Sequence, residues 1–137
     1  MLVALLAAVG CGNSGGGATK EVSAIWALES VSADRTVVVI KVAGGGCLTY
    51  DHSNVTDDGR LRLDAINRVP TGPDVACTAD LTGSQQHVRL PRPLRADERP
   101  LGECTASGED AESNICRILQ RMGRQPSPTD LPSPPPK

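Results

Sequence analysis

Aromatic side chains are almost absent from this chain of 137 residues, which has no Phe, one Trp (Trp26) and one Tyr (Tyr50). A folded core must therefore consist mainly of Val, Leu, Ile and Ala, and its apolar area per residue is modest. Long apolar runs are also missing. The apolar stretch at residues 1–10 is shorter than the roughly 20 residues that span a bilayer.

An excess of charge of either sign is missing as well. The net charge is −2, with acids and bases interspersed, so nothing suggests the basic face of a nucleic-acid-binding protein. No CxxC pair occurs and neither histidine has metal-ligand spacing to a cysteine, which argues against a zinc site. Nucleophile elbows and phosphate-binding loops are also absent. We expect no catalytic residue, no metal and no cofactor.

The apolar residues 1–10 are followed by Cys11 and then by the Gly/Ser-rich stretch GNSGGGATK. The segment AAVGC resembles the lipobox of bacterial lipoproteins, in which a small residue precedes a cysteine that receives a lipid. Ala8 stands where that pattern usually has Leu. The resemblance implies lipidation of Cys11 and a membrane anchor at the outer face of the cytoplasmic membrane. A plain secretory signal peptide, and hence secretion, is the alternative.

Composition divides the chain into four parts. We assign residues 1–10 to a signal peptide and residues 11–20 to the lipidated cysteine and a flexible tether. Residues 21–124 form the folded domain. Residues 125–137, QPSPTDLPSPPPK, are proline-rich and offer little to bury, so they are expected to be a disordered tail.

Four cysteines remain when Cys11 is set aside, and an even number in an exported protein indicates two disulfides. Four cysteines allow three pairings, and the spacing alone does not choose among them. We prefer one bond within the strand-rich part and one that brackets a short segment. The preferred bonds are Cys47 to Cys77 and Cys104 to Cys116.

The apolar pattern is that of strands separated by turns. Strands are predicted at residues 22–30, 36–43, 60–66, 75–81 and 86–90. Glycines at 44–46 and the sequence PTGPD at 70–74 are turn signals, and prolines at 91 and 93 end the last strand. This pattern predicts a mainly β fold, a small antiparallel sandwich or barrel with hairpin connections.

One short C-terminal helix is predicted within residues 107–124, with Ser107 as the candidate N-cap. Acidic residues lie in its first turns and arginines toward its end, the order that the helix dipole favours. Four side chains fall on one face, so a disulfide from Cys116 would fix that face on the sheet. They are Ile115, Cys116, Leu119 and Met122.

The motifs VVVIKVAGGGC, VTDDGRLRLDAI, ACTADL and HVRLPRPL, in this order, resemble a group of small exported or lipid-anchored β-domain lipoproteins of actinobacteria, whose function is mostly uncharacterised. The likeness covers roughly residues 24–102. It implies a β fold and supports the pairing of Cys47 with Cys77. It implies no activity.

Residues 50–59, YDHSNVTDDG, contain the adjacent pair Asp51 and His52, which in principle is a general base. Neighbouring side chains on an extended segment point to opposite faces, so we do not expect Asp51 to orient His52. We interpret the stretch as a solvated loop, and His87 as a half-exposed strand residue.

The function that we expect is that of a non-enzymatic cell-envelope lipoprotein, a binding or structural module. Its partners are the membrane, through Cys11, and a protein or cell-wall component, but not nucleic acid. Two alternatives stay open: a small extracellular hydrolase built on His52 or His87, and a periplasmic small-ligand carrier. A hydrolase should hold a histidine against a carboxylate inside a pocket.

Overall fold

The computed structural model describes residues 18–123. The signal peptide expected at 1–10, Cys11 and the proline-rich tail at 125–137 lie outside the described residues. In the described range the chain forms β1 (Thr19–Ser23), β2 (Trp26–Val31), β3 (Val37–Gly44), β4 (Thr49–Asp57), β5 (Leu61–Pro70), β6 (Thr82–Arg89) and α1 (Ala111–Gly123). β1 thus includes the last two residues that the sequence assigned to the tether.

The strands form two antiparallel sheets of three strands, with the orders β1-β5-β4 and β2-β3-β6. Val38, Ile40 and Val42 alternate along β3 and pack in one core with Leu61 and Leu63 of β5. All five are fully buried. The predicted fold class is therefore confirmed: mainly β, with two antiparallel sheets, a short C-terminal helix and two disulfides.

Two buried polar side chains join the sheets. Trp26 of β2 donates from Nε1 to the carbonyl of Leu63 in β5 at 3.1 Å, and Asn67 of β5 donates from Nδ2 to the carbonyl of Ala43 in β3 at 2.8 Å. A buried polar group without a partner costs more free energy than the bond itself contributes. These two bonds therefore favour one alignment of the sheets over others.

A segment that we call the strap, residues 101–104, closes one long side of the sandwich. Leu101 exchanges two backbone hydrogen bonds with β5, both 2.8 Å, and the Cys104 N–H donates to the carbonyl of Trp26 in β2 at 2.9 Å. Between these contacts Gly102 has a φ of +104°, and a Cβ on it would overlap a carbonyl oxygen of β5. The strap thus requires glycine at this position.

The same side holds the crossover from β1 to β2. The Ala24 N–H donates to the carbonyl of Ala65 in one sheet, and the carbonyl of Ile25 accepts from Ala43 in the other, both at 2.8 Å. The prediction of one strand over 22–30 is therefore wrong. These residues belong to two strands in different sheets, because the chain passes from one sheet to the other at Ala24 and Ile25.

Two further predictions are wrong and one group is confirmed. Residues 75–81 are an exposed loop rather than a strand: the bond from Cys77 to Cys47 holds it, and Asp80 accepts from the Gly46 N–H at 3.1 Å. Residues 50–57, interpreted as a loop, belong to β4. The predicted strands at 36–43, 60–66 and 86–90 lie in β3, β5 and β6 apart from one residue at an end.

The helix begins at Ala111, later than the prediction with Ser107 as N-cap. Asp110 is the cap: its Oδ1 accepts from the Ser113 N–H at 3.4 Å and its carbonyl accepts from Asn114 at 3.1 Å. A carboxylate at this place also interacts favourably with the helix dipole, which a serine does not. The hydrogen bonds from Ser113 lower the pKa of Asp110.

The predicted helix face is confirmed. Cys116 and Leu119 are fully buried, and α1 packs on β2 and β3 against Ala27 and Ala43. The bond from Cys104 to Cys116 connects the strap to this face. Within residues 18–123, no helix is long and apolar enough to cross a membrane.

The strap's need for glycine is testable with a matched pair of variants. Gly59 also has a positive φ, +107°, but no atoms lie within 4 Å of a Cβ built there. We expect Gly59→Ala to cost about 1–2 kcal/mol through backbone strain. Gly102→Ala should cost at least about 2 kcal/mol more, because it also displaces a paired carbonyl. Urea unfolding under oxidising conditions measures both, and equal losses would contradict the role given to the strap.

Candidate binding groove

The opposite side of the sandwich is open. β4 pairs only with β5 and β6 only with β3, so within residues 18–123 no backbone pairing joins the edges of β4 and β6. A groove of about 730 Å³ lies between them. We call it the β4–β6 groove, and the side chains that line it include Tyr50, Ser53, Val55, Gln86, Val88 and Leu90.

Both histidines line this groove, although 35 positions separate His52 from His87 in the sequence. Asp51 and Arg89 line it as well. His87 and Arg89 are exposed and take part in no side-chain hydrogen bond or ion pair in the described part of the chain. The groove therefore combines apolar and polar side chains in its lining, with Arg89 on its β6 rim.

Asp51 and His52 are hydrogen-bonded, against expectation: Nδ1 of His52 lies 2.5 Å from Oδ2 of Asp51. The pairing of β4 with β5 shifts register between Tyr50 and His52, so Asp51 is the extra residue of a β-bulge. The bulge turns the two side chains toward each other. Because an ionised carboxylate only accepts, Nδ1 of His52 is the donor in this bond.

Arg68 of β5 holds the other side of Asp51. Its Nε donates to Oδ1 of Asp51 at 3.0 Å, and its two terminal nitrogens donate to Thr19 at 3.0 Å and to Glu21 at 3.3 Å. The bond from Arg68, followed by that from His52, lowers the pKa of Asp51, and Asp51 raises the pKa of Arg68. Asp51 is thus an ionised member of a network rather than a proton donor.

The possible ligand atoms of Glu21, Asp51 and His52 all lie within 4.8 Å of one another. Two of these residues already bind the guanidinium of Arg68. A divalent cation would have to displace that guanidinium and share a partly exposed site with it. The three residues therefore belong to an ion-pair network whose cation is the guanidinium of Arg68, and we assign no metal to them.

An ion-pair cluster holds one end of the groove. Arg92, which follows the groove-lining residue Pro91, donates to Asp57 at the end of β4 at 2.9 Å and to both oxygens of Glu98 at 2.7 and 2.8 Å. Glu98 also accepts from the backbone N–H of Arg95 at 3.0 Å. The bonds from Arg92 lower the pKa of Asp57 and of Glu98, and they raise the pKa of Arg92.

The disulfide between Cys47 and Cys77 lies at the other end of the groove. It crosslinks the segments that enter β4 and β6. The described chain also starts at this end, where Thr71 donates from its backbone N–H to the carbonyl of Ala18 at 2.8 Å. The groove is thus fixed at both ends, and the N-terminal segment joins the domain at the disulfide end.

Of the residues predicted from sequence, Cys47, Cys77, Cys104 and Cys116 form the two preferred disulfides. Cys11 lies outside the described residues. Sequence reasoning did not pair Arg68 with Asp51 or Arg92 with Asp57, which lie 17 and 35 positions apart. One local signal pointed to the groove. Tyr50, Ser53 and Val55 have the spacing of side chains on one face of a strand that contains a single extra residue at the bulge.

The Arg92 cluster makes stability depend on pH in a defined direction. Carboxylates with a lowered folded-state pKa contribute stability above their unfolded pKa, and this contribution is lost as pH falls through the folded value. We expect Arg92→Gln to reduce the free energy of unfolding at pH 7. The deficit should begin to shrink below about pH 4, where these carboxylates take up protons in the unfolded chain, and it should shrink further as the pH falls toward the lowered folded-state pKa values of Asp57 and Glu98.

Urea unfolding between pH 3 and 7 measures this dependence, with Arg95→Gln as the matched control. The Arg95 side chain makes no ion pair in the described residues, so its replacement should change stability little at any pH. A deficit of Arg92→Gln that is the same at pH 3 and pH 7 would contradict the electrostatic role of the cluster.

Comparison with protein-family models, with curated proteins and with solved structures gives no match for this chain. The compartment can still be assigned from the cysteines. Two disulfides indicate an extracellular or otherwise oxidising environment, because reducing compartments keep thiols free.

Proposed function

We propose that this chain is a non-enzymatic cell-envelope lipoprotein, a binding module at the outer face of the cytoplasmic membrane whose binding surface is the β4–β6 groove. The observation that carries the proposal is the groove itself, which lies between two unpaired strand edges and is fixed at both ends. Ligand sites are concave and largely pre-formed, with an apolar lining and a few polar groups. The groove has part of this character, since it is held at both ends and its lining combines Val55, Val88 and Leu90 with polar side chains.

The proposed anchor rests on AAVGC, on the Gly/Ser-rich stretch behind Cys11 and on the oxidising environment. The N-terminal segment joins the domain at the disulfide end of the groove. β5 has 10 residues, which at about 3.3 Å per residue gives about 30 Å along the domain. The N-terminal segment therefore joins the domain at the end opposite the Arg92 cluster.

A small hydrolase is the second candidate, because the pair of His52 and Asp51 lies in the groove. Two observations make it the weaker one. The pair is open to water, with side-chain exposures of 38% and 31%, whereas catalytic electrostatics gain most from excluding water. The neighbouring hydroxyl of Ser53 is hydrogen-bonded to Tyr50 at 2.7 Å rather than to the histidine.

A small-ligand carrier is the third candidate. Carriers enclose most of the ligand surface, and small-molecule pockets typically bury about 70–90% of it. The β4–β6 groove is an open channel along two strands, which is better suited to an elongated partner.

Cys11 is expected to hold the chain on the membrane. Cells that express the native chain should retain it in the membrane fraction, and cells that express Cys11→Ser should release it in soluble form. Sodium carbonate washing separates lipid anchoring from peripheral binding. Equal release of both chains would contradict the lipid anchor. The chain would then be a secreted protein, and the proposal for the groove would not be affected.

The groove is expected to be the contact surface for the partner. A photo-crosslinking amino acid at His87, on the groove rim, should form a discrete adduct in intact cells, and the same group at Glu109, exposed before α1, should not. Identical adduct patterns at the two positions would contradict the binding surface. Ester hydrolysis that is lost with His52→Gln would instead assign the hydrolase function.

A further inference from the structure

The four outer strands of this sandwich differ in how they are protected against pairing. β2 has a register shift between Leu28 and Ser30, and the Leu28 N–H donates to the carboxylate of Glu103 at 2.6 Å. β4 has the bulge at Asp51. β1 has only five residues and carries Lys20. Bulges, short lengths and charges of this kind are the devices by which edge strands avoid other chains.

β6 has the fewest of these devices, since its charge is confined to Arg89 at its end. Its eight residues pair with Val37–Gly44 in unbroken register, and positions 82–88, TGSQQHV, include no proline, lysine or acidic residue. A long and regular edge of this type is a template for another strand. Among the four outer strands, β6 is therefore the one whose free edge is most open to pairing with another chain.

The direction of its free N–H groups follows from the pairing with β3. The Leu90 N–H donates to the carbonyl of Thr36 at 2.7 Å, and bonded pairs alternate along an antiparallel ladder. The N–H groups of Val88 and Gln86 hence point to β3. Those of His87 and Gln85 point to the open side, where they are available to a partner.

The charge of the groove selects the partner. Its acidic residue, Asp51, is already bonded to Arg68, and Asp57 at the groove end is bonded to Arg92. Arg89 has no carboxylate partner in residues 18–123. Arg89 is therefore the charged side chain of the groove that is left unpaired, and its guanidinium complements a carboxylate of a ligand.

We propose that the edge of β6 binds an extended acidic segment of a partner protein by strand addition. The segment would pair with the free N–H groups of Gln85 and His87, place alternate apolar side chains against Val55 and Val88, and bring a carboxylate to Arg89. This inference rests on the proposed function, since it names the class of partner for the same groove.

The test uses the full-length oxidised chain with Cys11→Ser and a synthetic probe. The probe is an N-acetylated nonapeptide of alternating Val and Thr with two Glu at one end, made with the Glu pair at either end to cover both strand directions. Fluorescence polarisation measures binding. We expect the acidic peptide to bind at least about tenfold more tightly than the same peptide with Lys in place of Glu.

Matched variants separate backbone pairing from side-chain contact. His87→Pro removes an outward N–H without touching the β3 pairing, and it should weaken binding at least about tenfold. His87→Gln retains the N–H and should leave binding within about twofold. Arg89→Gln should abolish the preference for the acidic peptide. A peptide with alternate N-methyl groups should not bind, which tests the pairing even if His87→Pro does not fold.

Three results would overturn the inference. Absence of binding by either acidic peptide at about 1 mM would exclude strand addition of this chemistry. Binding could also persist with His87→Pro and with the N-methylated peptide but be lost with Tyr50→Ala. This result would show that the groove binds the peptide without backbone pairing to β6. Dimerisation of the chain alone, abolished by His87→Pro, would assign the edge to a second copy.

Discussion

The hydrogen bonds of the strap to both sheets are the interactions on which the rest of this structure depends. Two three-stranded sheets have four outer edges, and on one side the strap and the β1–β2 crossover connect the two sheets by backbone hydrogen bonds. The core residues of β3 and β5 are thereby held face to face along that side. Within residues 18–123 the other side does not close by strand pairing, and the Cys47–Cys77 bond and the Arg92 cluster hold its ends. The candidate site is a consequence of this one-sided closure.

Much of the fold could be predicted because its buried positions are encoded locally. The β-branched run of β3 and the alternation of β5 identify strands without knowledge of their partners. The even number of cysteines and their place relative to the strands favoured the observed disulfides. The apolar face around Leu119 indicated a helix that packs on a sheet.

The remainder depends on contacts between distant residues. β4 was not predicted because its inward side chains line an open groove, where Ser53 is accommodated as easily as an apolar residue. The contact of Asp51 with His52 arises from a β-bulge, and no local sequence pattern predicts that bulge. Residues 75–81 have a strand-like composition, but they pair with no strand in the described residues, and the disulfide at Cys77 and the exposure of 75–80 leave that segment as a loop. The groove could not be predicted from the sequence, because it forms between β4 and β6, which are distant in the chain.

Native-state amide hydrogen exchange along β6 tests most directly the claim that one side of the sandwich is unpaired. In the isolated chain, the amides of Gln86 and Val88 should be protected by β3, and those of Gln85 and His87 should exchange much faster. Alternation of fast and slow amides along the strand is the predicted result. Uniform protection of all four amides would show that the β6 edge is paired in the free protein, and would contradict the account of the groove.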